Sequence, residues 1–91
     1  MSESTTVGPV LASLESIEAG VREIAHMVAR GDSCEVILDR IGEVKIALHQ
    51  TGQAVLEKQF YRCADECLVE SRKAESRQKM TDSIRAFVRL V

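Results

Sequence analysis

The sequence predicts an all-α protein in which three helices are organised around one long central helix. Its strongest signal is a stripe of mainly apolar or small residues that recurs every three or four positions: Cys34, Ile37, Ile41, Val44, Leu48, Thr51, Val55, Gln59 and Cys63. This spacing is typical of an amphipathic helix. The only proline lies at position 9, outside the stripe. With no tryptophan and 3% aromatic residues, any core must be aliphatic, which favours helix packing.

The first helix is predicted from about Gly8 to Ala29. Pro9 suits a first helical turn, and Gly31 suits the position just after a helix end. Between them an apolar stripe recurs at helical spacing: Leu11, Leu14, Ile17, Val21, Ile24 and Val28. Residues 1–8 are rich in serine and threonine and are predicted to be disordered. Residues 9–91 are then expected to form a single helical domain.

The second helix is predicted from Ser33 to about Val69, and a short connection to the first helix implies an antiparallel hairpin. Asp32 followed by Glu35 reads as a capping box at its start. The polar residues 70–78 are consistent with either a solvated extension or a turn. A third, shorter helix is expected from Met80 to the C-terminus.

The two outer cysteines of the stripe predict an oligomer. Cys34 and Cys63 are 29 residues apart, which is roughly 43 Å on a straight helix. A disulfide needs Cα atoms within about 7 Å, and a shared metal needs sulfurs within about 4 Å. Two copies packed antiparallel would place Cys34 of one chain opposite Cys63 of the other, in a symmetric dimer.

The location of the protein bears on how its cysteines are interpreted. No apolar run approaches the length of a membrane span, and the N-terminus lacks the features of a signal peptide. We therefore expect a cytoplasmic protein without membrane contacts, where cysteines more often serve in metal binding or redox chemistry than in structural disulfides. Cys67 is placed with Cys34 and Cys63 at the candidate thiol site, although the role of a small buried hydrophobe is equally plausible, and whether it faces the thiol site or the core stays open.

An enzymatic activity is not expected, and no cofactor is required. The sequence has no glycine-rich phosphate loop, no nucleophile elbow and no two-histidine metal motif. His26 and His49 are isolated. Since His49 would lie about 21 Å from either thiol position along the helix, it is too far to complete a site there.

Three stretches of the chain resemble the copper-sensitive operon repressor family: IEAGVREIAHMVARGDSCEVILDRIGEVKIAL, VLEKQFYRC and the closing SIRAFVRL. The resemblance extends from about Leu11 to Val91. It implies an all-α dimer with a central antiparallel helix pair, often assembled into a tetramer. It also implies an inducer site between protomers and regulation of transcription. The choice between dimer and tetramer stays open.

The inducer site departs from the copper sensors of this family at Gln59. In those sensors a histidine precedes the second cysteine by four residues and completes a Cys, His, Cys site for Cu(I). An amide is a poor ligand for a soft metal, so a Cys34/Cys63 metal site is expected to bind Cu(I) weakly. The pattern is nearest to the persulfide-sensing branch, in which Cys34 would attack a reactive sulfur species and Cys63 of the partner would resolve it. The helix N-terminus should stabilise the Cys34 thiolate.

The DNA-binding surface departs as well, so operator binding is uncertain. The family carries basic residues on the first helix, whereas residues 1–28 here hold one base and four acids, a net charge of −3. Residues 71–91 hold six bases and two acids, a net of +4, and Arg72–Lys79 is an alternative surface. The alternatives to a sulfur-sensing regulator are a sulfur carrier that does not bind DNA and a Cu(I) binder that uses Cys34, Cys63 and Cys67.

Overall fold

A computed structural model describes the backbone of residues 2–90 and the side chains of residues 7–90. Helix α1 spans Ser2–Arg30, α2 spans Cys34–Glu66, a short 3-10 helix covers Glu70–Arg72, and α3 spans Lys73–Val88. Residues 2–90 contain no strand, so the predicted all-α, three-helix protomer is confirmed. No helix within this range is long and apolar enough to cross a membrane.

The predicted start of the first helix at about Gly8 is wrong, because α1 begins at Ser2. The disorder expected for residues 1–8 falls partly outside the described residues. Met1 and the side chains of residues 2–6 are not among them. The disorder of this segment therefore stays a prediction.

The turn between α1 and α2 depends on Gly31. Its φ of 77° lies in the left-handed region, where a side chain is strained. The Gly31 N–H donates to the carbonyl of Val28 at 3.1 Å, and the Asp32 N–H donates to that of Met27 at 3.0 Å. These two bonds form a Schellman motif, which satisfies the last carbonyls of α1 and turns the chain into α2. The predicted role of Gly31 is confirmed.

The predicted capping box at the start of α2 is wrong. Ser33 is the N-cap, and its hydroxyl accepts a hydrogen bond from the Val36 N–H at 3.4 Å. The Asp32 carboxylate instead accepts two bonds from the Arg30 guanidinium, at 2.6 and 3.1 Å. Because the Schellman motif uses Asp32 as its closing residue, the cap moves one position along the chain. Cys34 thereby becomes the first residue of α2.

The C-terminal boundaries also differ from the prediction. Helix α2 ends at Glu66 rather than near Val69, and α3 begins at Lys73 rather than at Met80. The polar residues 73–78 are thus helical and belong to α3. They carry no apolar periodicity for a sequence pattern to detect, but their helix includes side-chain pairs one turn apart. The Lys79 ammonium lies 3.2 Å from Glu75, and the Gln78 amide donates to Asp82 at 3.0 Å.

The protomer is elongated and leaves much apolar surface uncovered. Its principal extents are 59 × 25 × 13 Å, with α1 and α3 packed along α2. Among the described side chains, Ile17 and Met27 are the large hydrophobic residues that are buried. Many others remain exposed, including Leu11, Leu14, Val21, Val28, Ile41, Ile46, Leu48, Val55, Phe60 and Ile84. The predicted stripe of α2 is therefore only partly covered within one chain.

Helix α2 runs unbroken through its two glycines, Gly42 and Gly52. A Cβ atom at Gly52 would come within 2.8 Å of the Leu90 side chain, so this position admits the close approach of the C-terminal end of the chain. A Cβ at Gly42 would meet nothing within 4 Å in the protomer.

Candidate functional site

The three thiols lie at opposite ends of α2. Cys34 is exposed at the first position of the helix, whereas Cys63 and Cys67 are half-buried at its far end. Because the helix is continuous between them, Cys34 and Cys63 of one chain are roughly 43 Å apart. The expectation that they do not meet within a protomer is confirmed, and a shared site would take a second chain.

Cys63 and Cys67 form a close pair within the chain. Their Sγ atoms lie 3.6 Å apart, in contact for a sulfur hydrogen bond in which either thiol can donate. The two residues are one helical turn apart, and the Cys67 N–H still donates to the Cys63 carbonyl at 2.9 Å. Cys67 thus faces Cys63, which answers the question that the sequence left open about its orientation.

The start of α3 packs against this pair of thiols. Ser76 is only 1% exposed, and its buried hydroxyl makes no hydrogen bond of ordinary geometry within the described residues. The pKa of the Cys67 thiol is raised, first by the hydrogen bond with Cys63 and then by burial. Ser76 and Arg77 act in the opposite direction, since a hydroxyl donor and a cation both favour the thiolate. The Cys63–Cys67 pair, Ser76 and Arg77 are called the dithiol cluster below.

Gln59 lies on α2 one turn before Cys63, on the same side of the helix. Its amide Nε2 is buried and has no hydrogen-bond partner within the described residues. The residue also lines an open groove of about 740 Å³ between α2 and α3, whose walls include Leu48, Val55 and Phe87. The amide nitrogen can donate a hydrogen bond to an anion, whereas the amide oxygen is a hard ligand that suits a soft cation such as Cu(I) poorly.

A metal site of three ligands is not assembled within the described part of the protomer. No group of three or more His, Cys, Asp or Glu side chains there converges on a point. The ring of His49 instead packs against Phe87 of α3, with ring centroids 5.3 Å apart. Any site of three ligands that used Cys34 would therefore draw on a second chain.

The basic side chains of α1 and early α2 are engaged by acids. Arg22 pairs with Glu18 at 3.2 Å, and Arg40 pairs with Glu23 at 3.1 Å and with Glu43 at 2.7 Å. These exposed pairs contribute little to stability. They do place carboxylates beside the cations of this surface, which lowers its attraction for phosphate groups.

The dithiol cluster is the feature that sequence reasoning did not identify. The four-residue spacing of Cys63 and Cys67 was visible, but it entered only as part of a copper alternative. Ser76 and Arg77 gave no signal, because they fall in the polar segment whose secondary structure the sequence left undecided. The sulfur–sulfur contact follows from the helical turn that joins Cys63 to Cys67, whereas the position of Ser76 beside Cys67 depends on how the 3-10 helix leads α3 back to the end of α2.

A comparison with protein-family models found a family that most of the chain matches. Residues 8–89 match the model described as metal-sensitive transcriptional repressor. Comparisons with curated proteins and with solved structures found no match. The matched range includes all three cysteines, Gln59, Ser76 and Arg77.

Proposed function

Since this chain belongs to the family of metal-sensitive transcriptional repressors, we propose that it is a transcriptional regulator whose inducer is a reactive sulfur species. Cys34 of one protomer and Cys63 of another form the sensing pair. Gln59 of the second protomer borders it. Family membership supports the regulatory role, whereas the inducer rests on the chemistry of these side chains.

The observation that carries this choice of inducer is Gln59. A soft cation such as Cu(I) would need a third nitrogen or sulfur ligand here, and an amide does not supply one. The buried and unpartnered Nε2 is a hydrogen-bond donor one turn from Cys63. A buried donor without a partner is costly, and a sulfur anion at Cys63 would satisfy it.

An antiparallel dimer supplies the second chain. Cys34, Ile41, Leu48 and Val55 follow one another at intervals of seven residues along α2, and all four are exposed in the protomer. Such a row of exposed apolar residues is the seam of a helix pair. If a second, antiparallel copy of α2 covers this row, each Cys34 lies near the far end of the partner helix, where Cys63 lies.

The sensing reaction needs only the two thiols and a persulfide. The Cys34 thiolate attacks the outer sulfur of an organic persulfide, which forms a Cys34 persulfide and releases the thiolate of the donor. The Cys63 thiolate of the partner then attacks the inner sulfur of that persulfide, the Sγ atom of Cys34, and the outer sulfur leaves as hydrosulfide. The products are an interprotomer disulfide and hydrosulfide, so two sulfur–sulfur bonds form and two break.

The test is covalent dimer formation on a non-reducing gel after treatment with inorganic polysulfide. We expect a crosslinked band that Cys34→Ala and Cys63→Ala each abolish. Cys67→Ala is the matched control and should retain the band. A band that survives Cys34→Ala but needs Cys67 would show that the sensing pair has been assigned to the wrong residues.

DNA binding through α1 and α2 is expected to be weak. The net charge of −3 over residues 1–28 and the ion pairs of Arg22 and Arg40 leave little basic surface for counterion release. Fluorescence anisotropy with the promoter of the protein's own gene, at roughly 0.15 M salt, measures this directly, since specific binders reach nanomolar affinity there.

A charge-reversal variant provides the matched control for that measurement. Glu15→Lys combined with Glu18→Lys should raise the DNA affinity and steepen its salt dependence by about 0.9 for each additional phosphate that is neutralised. Nanomolar binding by the unaltered protein, relieved by polysulfide, would contradict the electrostatic argument. If no operator binds while the polysulfide crosslink forms, the sulfur carrier becomes the better description.

Copper binding is a second candidate because the Cys63–Cys67 pair already holds two sulfurs 3.6 Å apart. This separation is close to the distance of about 3.8 Å between two thiolate sulfurs that bind one tetrahedral metal ion. Titration of the reduced protein with Cu(I) tests it. We expect binding weaker than that of a three-ligand site, and stoichiometric binding that depends on Cys67 would favour this candidate over sulfur sensing.

A further inference from the structure

The dithiol cluster contains two features that the interprotomer reaction does not use. The first is Cys67, whose Sγ lies 3.6 Å from that of Cys63. The second is Ser76, which is 1% exposed and whose hydroxyl lies close enough to Cys67 to lower the pKa of that thiol. A buried hydroxyl needs a hydrogen-bond partner, and the sulfur of Cys67 is the polar group beside it.

We propose that Cys63 and Cys67 form a second, intrachain sulfur site, in which Cys63 accepts a sulfane sulfur and Cys67 removes it by closing a disulfide within the same protomer. This inference rests on the sulfur chemistry proposed above but not on Cys34 or on a partner chain. Cys63 then has two alternative thiol partners, one in each chain of a dimer.

A disulfide between these residues requires an adjustment of the helix. Positions four apart on a helix have Cα atoms about 6 Å apart, within the range of about 4.4–6.8 Å that disulfides span, but their Cβ atoms are about 5–6 Å apart, wider than the roughly 3.5–4.5 Å of a disulfide. The sulfurs must approach from 3.6 Å to a bond length of about 2.05 Å. Cys67 is the C-cap of α2, and the chain leaves the helix immediately after it. The adjustment therefore falls on the last turn rather than on the middle of the helix.

The chemistry balances with a persulfide donor as the only co-reactant. The Cys63 thiolate attacks the outer sulfur of the donor, which leaves as its thiolate, and Cys63 becomes a persulfide. The sulfur of Cys67 then attacks the inner sulfur, on Cys63, and the outer sulfur departs with the proton of Cys67 as hydrogen sulfide. One sulfur–sulfur bond breaks and one forms in each step, so the donor is reduced and the dithiol is oxidised.

The groups around the pair favour an anionic sulfur over a metal cation. The Ser76 hydroxyl can donate to a departing sulfur or to a thiolate, and the Arg77 guanidinium adds a positive charge nearby. A positive charge beside the site opposes the approach of a cation. Ser76 is thus a positioning residue for the sulfur that leaves.

The consequence is a competition for Cys63. While Cys63 is bonded to Cys67, it cannot resolve a persulfide on Cys34 of the partner. The intrachain disulfide therefore prevents formation of the interprotomer disulfide. Reduction of the intrachain disulfide restores the thiols of Cys63 and Cys67. Cys67→Ala should accordingly raise the yield of the interprotomer crosslink.

The experiment uses Cys34→Ala, in which the interprotomer reaction is blocked. The reduced full-length protein is treated with inorganic polysulfide without oxygen, alkylated, and digested with trypsin under non-reducing conditions. Cleavage after Arg62 and Arg72 leaves Cys63 and Cys67 in one peptide, residues 63–72. We expect this peptide to lack two hydrogen atoms and to carry no alkyl group.

Matched variants identify the role of each group. In Cys34→Ala with Cys67→Ser, the peptide should instead carry one added sulfur on Cys63, because closure is blocked. In Cys34→Ala with Ser76→Ala, closure should be about tenfold slower, the effect of losing one hydrogen bond to a charged group. Thermal unfolding followed by far-UV circular dichroism should show that Ser76→Ala stays folded, because alanine occupies the same buried position with one heavy atom fewer.

Two results would overturn the inference. One is a Cys34→Ala protein in which both cysteines remain alkylated after polysulfide treatment. The other is persistent persulfide on Cys63 with no closed peptide while Cys67 is intact. Neither result depends on the interprotomer crosslink, whose absence from the unaltered protein would count against the proposed sensing pair instead.

Discussion

Replacing Gly31 by alanine should destabilise the fold through the backbone alone. A Cβ atom at this position would meet nothing within 4 Å, so packing contributes no penalty. The φ of 77° is the cause, because an L-residue in the left-handed region costs about 1–2 kcal/mol. Part of that cost is offset by about 0.4–1 kcal/mol, since alanine restricts the unfolded chain more than glycine does.

The net loss should therefore be about 1 kcal/mol in the free energy of unfolding, or a fall in Tm of roughly 4–8 °C for a domain of this size. Urea and thermal unfolding followed by circular dichroism measure it, at one protein concentration because oligomers gain apparent stability with concentration. Gly31→Asn is the matched control. Asparagine tolerates the left-handed conformation better, so it should lose less than alanine. If Gly31→Ala were as stable as the parent, Gly31 would not close the Schellman motif and Cys34 would not be the first residue of α2.

Three further outcomes are expected. Gln59→His should tighten Cu(I) binding by at least about tenfold, or about 1.4 kcal/mol, in a competition titration; an unchanged affinity would mean that position 59 does not border the thiol site. Because its hydrogen bond with Cys63 raises the pKa of Cys67, alkylation of Cys67 should need a more alkaline pH than an ordinary thiol does. Cys63→Ala removes that first cause and should shift the alkylation profile of Cys67 to lower pH, whereas no shift would refute the assignment. Sedimentation equilibrium at micromolar concentration should show at least a dimer, and a monomer would rule out the antiparallel helix pair.

Much of the fold could be predicted because its determinants are local in the sequence. The stripe of α2 and the role of Gly31 depend on residues within a few positions of each other, and the structure confirms both. The length of α2 between Cys34 and Cys63 excluded a site shared by these two thiols of one chain. That conclusion needs only the helix rise, which no tertiary contact alters.

The features that were missed are the N-cap of α2, for which two adjacent residues were suitable, and the start of α3, which no apolar pattern marks. Asp32 and Ser33 are both good helix caps, and the choice between them was made by the Schellman motif at the end of α1 and by Arg30. The start of α3 at Lys73 was hidden, because residues 73–78 are polar on all sides and show no apolar period.

The sequence by itself determined that this protein is all-α and that its long helix keeps Cys34 and Cys63 of one chain apart. Each follows from spacing along a single helix. Only the tertiary structure decided that Ser76 of α3, whose side chain is buried, packs against the end of α2 beside Cys67. The reason is that a pattern along one helix does not state which side chains of the next helix will pack against its end. That depends on the direction in which the 3-10 helix Glu70–Arg72 returns the chain.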